Sequence, residues 1–328
     1  MQRSRWMAVA LALLLETGCQ TTSPEALRVS LERKPPIAHI QRTLLGETSL
    51  SKRYELRIHT GEEWAFEYYL RMPRAVTKPI PAILILAGFE TGRQALDFLD
   101  ERDDVILLSM DYPYNGPPEF KGFDLLRAVP SLRRMGLATL EAGSLALDYF
   151  WGQPEVDREK IILIGVSFGS IFTTVLGGLD ERASAVVLIY GGGGLPLLIR
   201  QNLREAPWWL PSWAIPPLVK AFFGDFEPLR FVERISPRPL LMINSRQDEF
   251  FPAPSTEALY QQAKEPKKLI WYETGHMDLF DPSLIRRLTQ EVVKELRSAG
   301  YFSPPGGHGL NSPEDLCHEQ EIDQAGVR

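Results

Sequence analysis

Six short, nearly uninterrupted apolar runs constrain this chain more than any other feature: Pro81–Leu86, Val105–Ser109, Ile161–Ile164, Ala185–Tyr190, Pro239–Ile243 and Lys268–Tyr272. Each is only four to six residues long. Runs that short, apolar at successive rather than alternate positions, fit strands covered on both faces, as in a parallel sheet. Helical stretches separate them at about Arg93–Glu101, Ser131–Trp151, Phe168–Leu179 and Ser255–Lys264. After the last run, Asp281 and Pro282 read as a helix cap and first residue. Leu284, Leu288, Val292 and Leu296 keep one apolar face, and Gly300 ends the helix. Ahead of the runs, Tyr54–Thr60 and Trp64–Arg71 alternate polar and apolar about Gly61-Glu62, which predicts an antiparallel hairpin. The sum is an α/β domain with eight strands in a mostly parallel sheet, flanked by helices. With 328 residues, 44% of them hydrophobic, the chain can bury such a core.

The chemistry concentrates after Ile161–Ile164, which leads straight into Gly165-Val-Ser167-Phe-Gly169 and a helical stretch. A G-x-S-x-G between strand and helix is the nucleophile elbow, a sharp turn that lifts the serine hydroxyl clear of the sheet. Gly165 and Gly169 allow the close packing this needs. The Phe168 N–H then points toward a developing oxyanion. Alone the pattern is weak, and an ordinary turn with an incidental serine is its rival; its position between strand and helix gives it weight.

A serine hydroxyl needs an adjacent base, itself oriented by a carboxylate. The elbow architecture orders them Ser, acid, His along the chain. Of five histidines, His39 and His59 precede Ser167, and His308 and His318 lie in a polar C-terminal stretch. Only His276, on the Thr274-Gly275 loop after Lys268–Tyr272, is placed to act. The acid belongs after Pro239–Ile243, where Asp248 and Glu249 are adjacent; Asp278 is a local alternative. The loop after Pro81–Leu86 reads Ala87-Gly88-Phe89, so Gly88 permits a tight approach and the Phe89 N–H, or a neighbouring one, is the second oxyanion donor.

These positions resemble the α/β-hydrolase fold family, especially its esterase and dienelactone-hydrolase-like branches, across residues 50–300. Val156-Asp157, Gly165–Ser170, Ser236–Pro239, Asp248 with Pro252, and Gly275-His276 carry the likeness. The resemblance prefers Asp248 over Glu249, since the family places an aspartate a few residues before a proline. It implies ester, thioester or amide hydrolysis through an acyl-enzyme, most readily a carboxylic ester, on a small-molecule substrate with an apolar moiety. Two departures stand out: no His-Gly-Gly oxyanion sequence is present, and Asn244-Ser245-Arg246 replaces a turn where many relatives have glycine. Ser170 stands where peptidase relatives commonly carry a second glycine. The rival class is a non-catalytic binding protein on the same fold; an intact Ser, Asp and His set argues against it.

Residues 191–238, after the sixth expected strand, form a cap or lid insertion, a feature often found at this point in the family. The insertion holds Trp208, Trp209, Trp213, Phe222, Phe223 and Phe226, whose rings either line an apolar substrate pocket or pack the cap onto its support.

Residues 1–18 carry Arg3 and Arg5 and then ten apolar residues, Trp6–Leu15. That run suits an export signal and is too short for a spanning helix. Gly18-Cys19 resembles a bacterial lipoprotein processing site, except that Glu16 stands three before the cysteine where an aliphatic is usual. The expectation is an exported protein, secreted or anchored in the bacterial cell envelope through a lipid on Cys19. Residues 19–49 read as a linker and 301–328 as a disordered acidic tail. The formal net charge of −6 gives no reason to expect nucleic acid. Cys19 and Cys317 at opposite ends make no disulfide framework or thiolate cage, and neither a metal nor an organic cofactor is expected.

Overall fold

The computed structural model describes residues 21–61, 65–116, 124–202, 212–278 and 281–302. The export signal, Cys19, Trp208, Trp209 and the chain from residue 303 lie outside the described residues.

Nine strands form one sheet in the order β1-β2-β3-β5-β4-β6-β7-β8-β9. They are β1 His39–Glu47, β2 Ser51–His59, β3 Ala65–Pro73, β4 Ile80–Leu86, β5 Ile106–Met110, β6 Val156–Val166, β7 Ala185–Ile189, β8 Leu240–Ser245 and β9 Lys267–Tyr272. The first three and the β3–β5 pair run antiparallel; every other pair is parallel. Eight strands follow the expected pattern. The ninth, β1, lies inside the stretch expected to be linker. It is exposed along its whole length and covers only the sheet edge, so it carries no alternation of buried and exposed positions to betray it. The chain also stays packed slightly past the expected domain end: Phe302 is buried and the Tyr301 hydroxyl donates to the Ser184 carbonyl.

Both sheet faces are covered. Leu84, Leu86, Leu108 and Leu163 face a core shared with helices α1 (Pro24–Glu32), α2 (Asp124–Gly152) and α3 (Phe168–Leu179). Ile83, Ile85, Ile162 and Val187 face the other side, under a 3-10 turn at Gly92–Phe98 and the C-terminal helix. This is why the apolar runs are continuous: consecutive residues enter different cores.

The insertion after β7 contains α4 (Leu195–Asn202), α5 (Ile215–Phe223) and 3-10 turns through Arg234. It follows the seventh strand rather than the sixth because β1 advances the count. Glu227 fastens it, accepting from the Gly194 and Leu195 N–H groups at 2.7 Å and capping α4. The buried Asp225 ties it to α2 through Arg133 at 2.6 Å. Beyond lie α6 (Ala253–Gln262) and α7 (Pro282–Ser298), whose Asp281 cap accepts from the Leu284 N–H at 3.0 Å. Among the described residues no helix is long and apolar enough to cross a membrane.

Candidate active site

Ser167 sits between the end of β6 and the first residue of α3 with φ 53° and ψ −121°. Left-handed φ at a non-glycine residue is strained, and such strain persists only where its surroundings enforce it. Here the Ser167 N–H donates to the Ile189 carbonyl of β7 at 2.8 Å, and its carbonyl accepts from the N–H and hydroxyl of Ser170 at 2.9 and 2.6 Å. The flanking glycines are steric necessities. A Cβ on Gly169 would lie 1.9 Å from the Leu86 carbonyl oxygen, and one on Gly165 would lie 2.6 Å from Thr173 and 2.7 Å from the Ser170 Cα. Gly88 differs: a Cβ there would meet Thr91 Oγ1 at an ordinary 3.5 Å, so close packing does not demand this glycine.

The chain brings the three side chains singled out in the sequence together. Ser167 Oγ lies 2.9 Å from His276 Nε2. His276 Nδ1 lies 2.9 and 3.0 Å from the two oxygens of Asp248. The Asp248 carboxylate is buried, and its Oδ1 also accepts from the N–H groups of Phe250 and Phe251 at 2.8 and 2.9 Å. A carboxylate so surrounded by donors acts as acceptor, which assigns the proton to His276 Nδ1 and leaves Nε2 to accept from the serine. Glu249, the adjacent acid, has another role: its Oε2 accepts from the His276 backbone N–H at 3.2 Å.

Several tethers hold the imidazole, and none was singled out in the sequence. Tyr190, at φ 54°, meets the ring edge to face at 5.2 Å, while Phe250 and Phe251 contact it at 4.9 and 6.1 Å. The Tyr190 hydroxyl pairs with Thr274 Oγ1 at 3.0 Å, and burial pushes its pKa up, keeping it protonated. Ser245 donates to the Thr274 carbonyl and accepts the Thr274 N–H. The departure from glycine at Asn244-Ser245-Arg246 was the available signal: Ser245 supplies a hydroxyl that fixes the histidine loop.

Phe168 provides the first N–H of α3, and neither it nor the Phe89 N–H is engaged by another described residue. Both residues, with Gly88, Ser167 and His276, border one cavity of about 700 Å³. The Phe89 and Phe168 rings meet edge to face at 5.6 Å. Among the described cap aromatics, Phe222, Phe223 and Phe226 line the cavity, whereas Trp213 is 68% exposed and does not. The pocket-lining expectation holds for those three rings, and Trp213 neither lines the cavity nor packs the cap onto the core.

No family model matches the chain. Among curated proteins it is similar to the uncharacterized protein YfhR of Escherichia coli strain K12, 27% identical over 165 residues, 49% of this chain and 52% of that protein. It is also similar to the uncharacterized protein YqkD of Bacillus subtilis strain 168, 33% identical over 79 residues, 22% of this chain and 26% of the other. The chain thus spans about half the length of the YfhR relatives it matches. Among solved structures, the acetyl xylan esterase from Paenibacillus sp. R4 superposes on 85% of this chain over 98% of its own, with TM-score 0.59 and 18% identity. Acetyl xylan esterase 1 from Thermoanaerobacterium sp. JW/SL YS485 covers 85% and 96%, at TM-score 0.57 and 17% identity. Methylesterase BT1017 covers 83% and 63%, at 0.56 and 15%. The fold is that of the α/β hydrolases.

Proposed function

We propose that this protein is a serine hydrolase that cleaves a carboxylic ester through an acyl-enzyme. The observation that carries the reading is the continuous hydrogen-bonded line from Ser167 Oγ through His276 to Asp248. Ser167 loses its proton to His276 Nε2 as it attacks the acyl carbon, and Asp248 stabilises the imidazolium that forms. The N–H groups of Phe89 and Phe168 receive the oxyanion. His276 then protonates the departing alcohol, and water repeats the cycle to release the acid. The esterase names among the structural neighbours favour an ester over other acyl substrates, but at 15–18% identity their particular substrates do not transfer.

Labelling by a fluorophosphonate probe tests the reading. The folded protein should label and Ser167→Ala should not; a folded wild type that resists the probe points to the non-catalytic binding protein. Turnover of p-nitrophenyl esters beside matched thioesters and anilides ranks the leaving group. We further propose export and lipid attachment at Cys19; Cys19→Ala should then move the protein from the membrane fraction to the soluble envelope fraction.

A further inference from the structure

The cavity beside Ser167 is larger and more apolar than an acetyl group requires. We infer that it houses the acyl part of the substrate, an aliphatic chain of about eight carbons or more, taking each methylene as roughly the 30 Å³ a water occupies in the liquid. Ten such carbons fill about 300 Å³, well within the cavity's roughly 700 Å³. This inference rests on the ester-hydrolase reading and specifies its substrate.

Three elements build the walls. Ile171 and Phe172 come from the first turns of α3, Leu132 and Met135 from α2, and Leu218 and Val219 from the cap helix α5. Met135, Phe172, Val219 and Phe226 are buried, the Phe226 ring set against Phe172 at 5.7 Å. That ring sits where Gly136 of α2 has no side chain; a Cβ there would lie 2.5 Å from it. Of the polar lining residues, Ser167 and His276 form the hydrogen-bonded pair, Thr91 folds back on Gly88 in the loop after β4, and Glu90 and Asn202 are exposed. A sugar or peptide placed deeper would bury hydroxyls or amides against hydrocarbon without partners. A polymethylene chain loses nothing there.

The chemistry also selects the acyl side. The leaving alcohol must lie against His276 Nε2 to receive its proton, and it must depart before water can enter. The His276 loop is the partly exposed side of the site. The acyl group stays bound through both halves of the reaction, so the recess between α2, α3 and α5 suits it.

A p-nitrophenyl ester series from acetyl to dodecanoyl, run with the full chain, tests this. Each methylene buried contributes about fourfold, so kcat/KM should rise at least about 100-fold from acetyl to octanoyl. Alkyl acetates lengthened on the alcohol side should gain far less. Leu132→Trp on α2 and Leu218→Trp on α5 should each lower the decanoyl-to-butyryl ratio of kcat/KM at least tenfold, with cooperative melting confirming that each variant folds. An acetyl preference, a gain on the alcohol side only, or ratios unmoved in both folded variants would overturn the inference while leaving a labelled Ser167 and the hydrolase intact. No turnover of any ester together with no labelling removes both.

Discussion

The sharpest test of the elbow geometry is Gly169→Ala. The added methyl carbon would sit 1.9 Å from the Leu86 carbonyl oxygen, 2.4 Å from its carbon and 2.7 Å from the Ala87 oxygen. All three atoms are backbone at the end of a central strand, so no side chain can rotate away. Reaching an ordinary contact of 3.4 Å would part α3 from β4 by about 1.5 Å. Overpacking a core costs roughly 1–3 kcal/mol, and a clash between two backbones belongs at the upper end, about 3 kcal/mol. For a domain of this size that is a fall in Tm of roughly 6–12 °C by differential scanning calorimetry. The shift also moves Phe89 away from Phe168, and loss of one oxyanion donor lowers kcat by roughly 10²–10³. Gly88→Ala is the control. Its Cβ meets only Thr91 at 3.5 Å, and its φ is not in the left-handed region, so Tm should stay within about 2 °C of wild type. If Gly169→Ala melts with wild type and keeps its kcat, close approach of helix and strand is not what the second glycine provides.

Other outcomes follow from single contacts. Asp248→Asn keeps the volume but lets the imidazole take the wrong tautomer, so kcat should fall roughly 10³–10⁴-fold with little change in Tm. Glu227→Ala frees the Gly194 and Leu195 N–H groups and should cost about 1–3 kcal/mol in denaturant unfolding, with the loss felt first in the cap. Glu141 on α2 is half-buried, and burial raises its pKa above the ordinary 4.5. Its folded form resists ionising more than the unfolded chain does, so it opposes folding as pH rises above that value. Glu141→Gln should therefore raise Tm at pH 7, and the gain should vanish in melts below about pH 4.

What could be read in advance divides along a physical line. Buried strands announced themselves because both faces need apolar residues, and α7 because its cap, its leucines and Gly300 all agree. Ser167 and His276 were legible because the elbow fixes one and the chain order leaves one histidine after an apolar run. Strand β1 was not, since an exposed edge strand has no buried face to pattern. The predicted helix at Arg93–Glu101 is a 3-10 turn at Gly92–Phe98, within the range where helical periodicity cannot separate the two. Glu227 and Tyr190 escaped because their partners are backbone groups or distant side chains, and a hydrogen bond across dozens of residues leaves no local period, whereas Ser245 left only its departure from glycine as a trace. The cap aromatics illustrate the limit: composition marks Trp213 and Phe226 alike, and only packing turns one outward and the other in.

The sheet does not end where its strands do. Past the regular ladder, Ser167 donates to Ile189, Tyr190 to Ile243, and Arg246 to Tyr272, at 2.8, 2.8 and 3.0 Å. These three rungs stitch β6 to β7, β7 to β8 and β8 to β9, and the serine, aspartate and histidine leave from the first, third and fourth of those strands. The spacing of Ser167, Asp248 and His276 is thus set mechanically, by a row of backbone hydrogen bonds at the ends of four parallel strands. Fraying there would separate hydroxyl from imidazole while both cores stayed intact. Activity should then register the loosening of this margin at temperatures or denaturant concentrations where the protein still looks wholly folded.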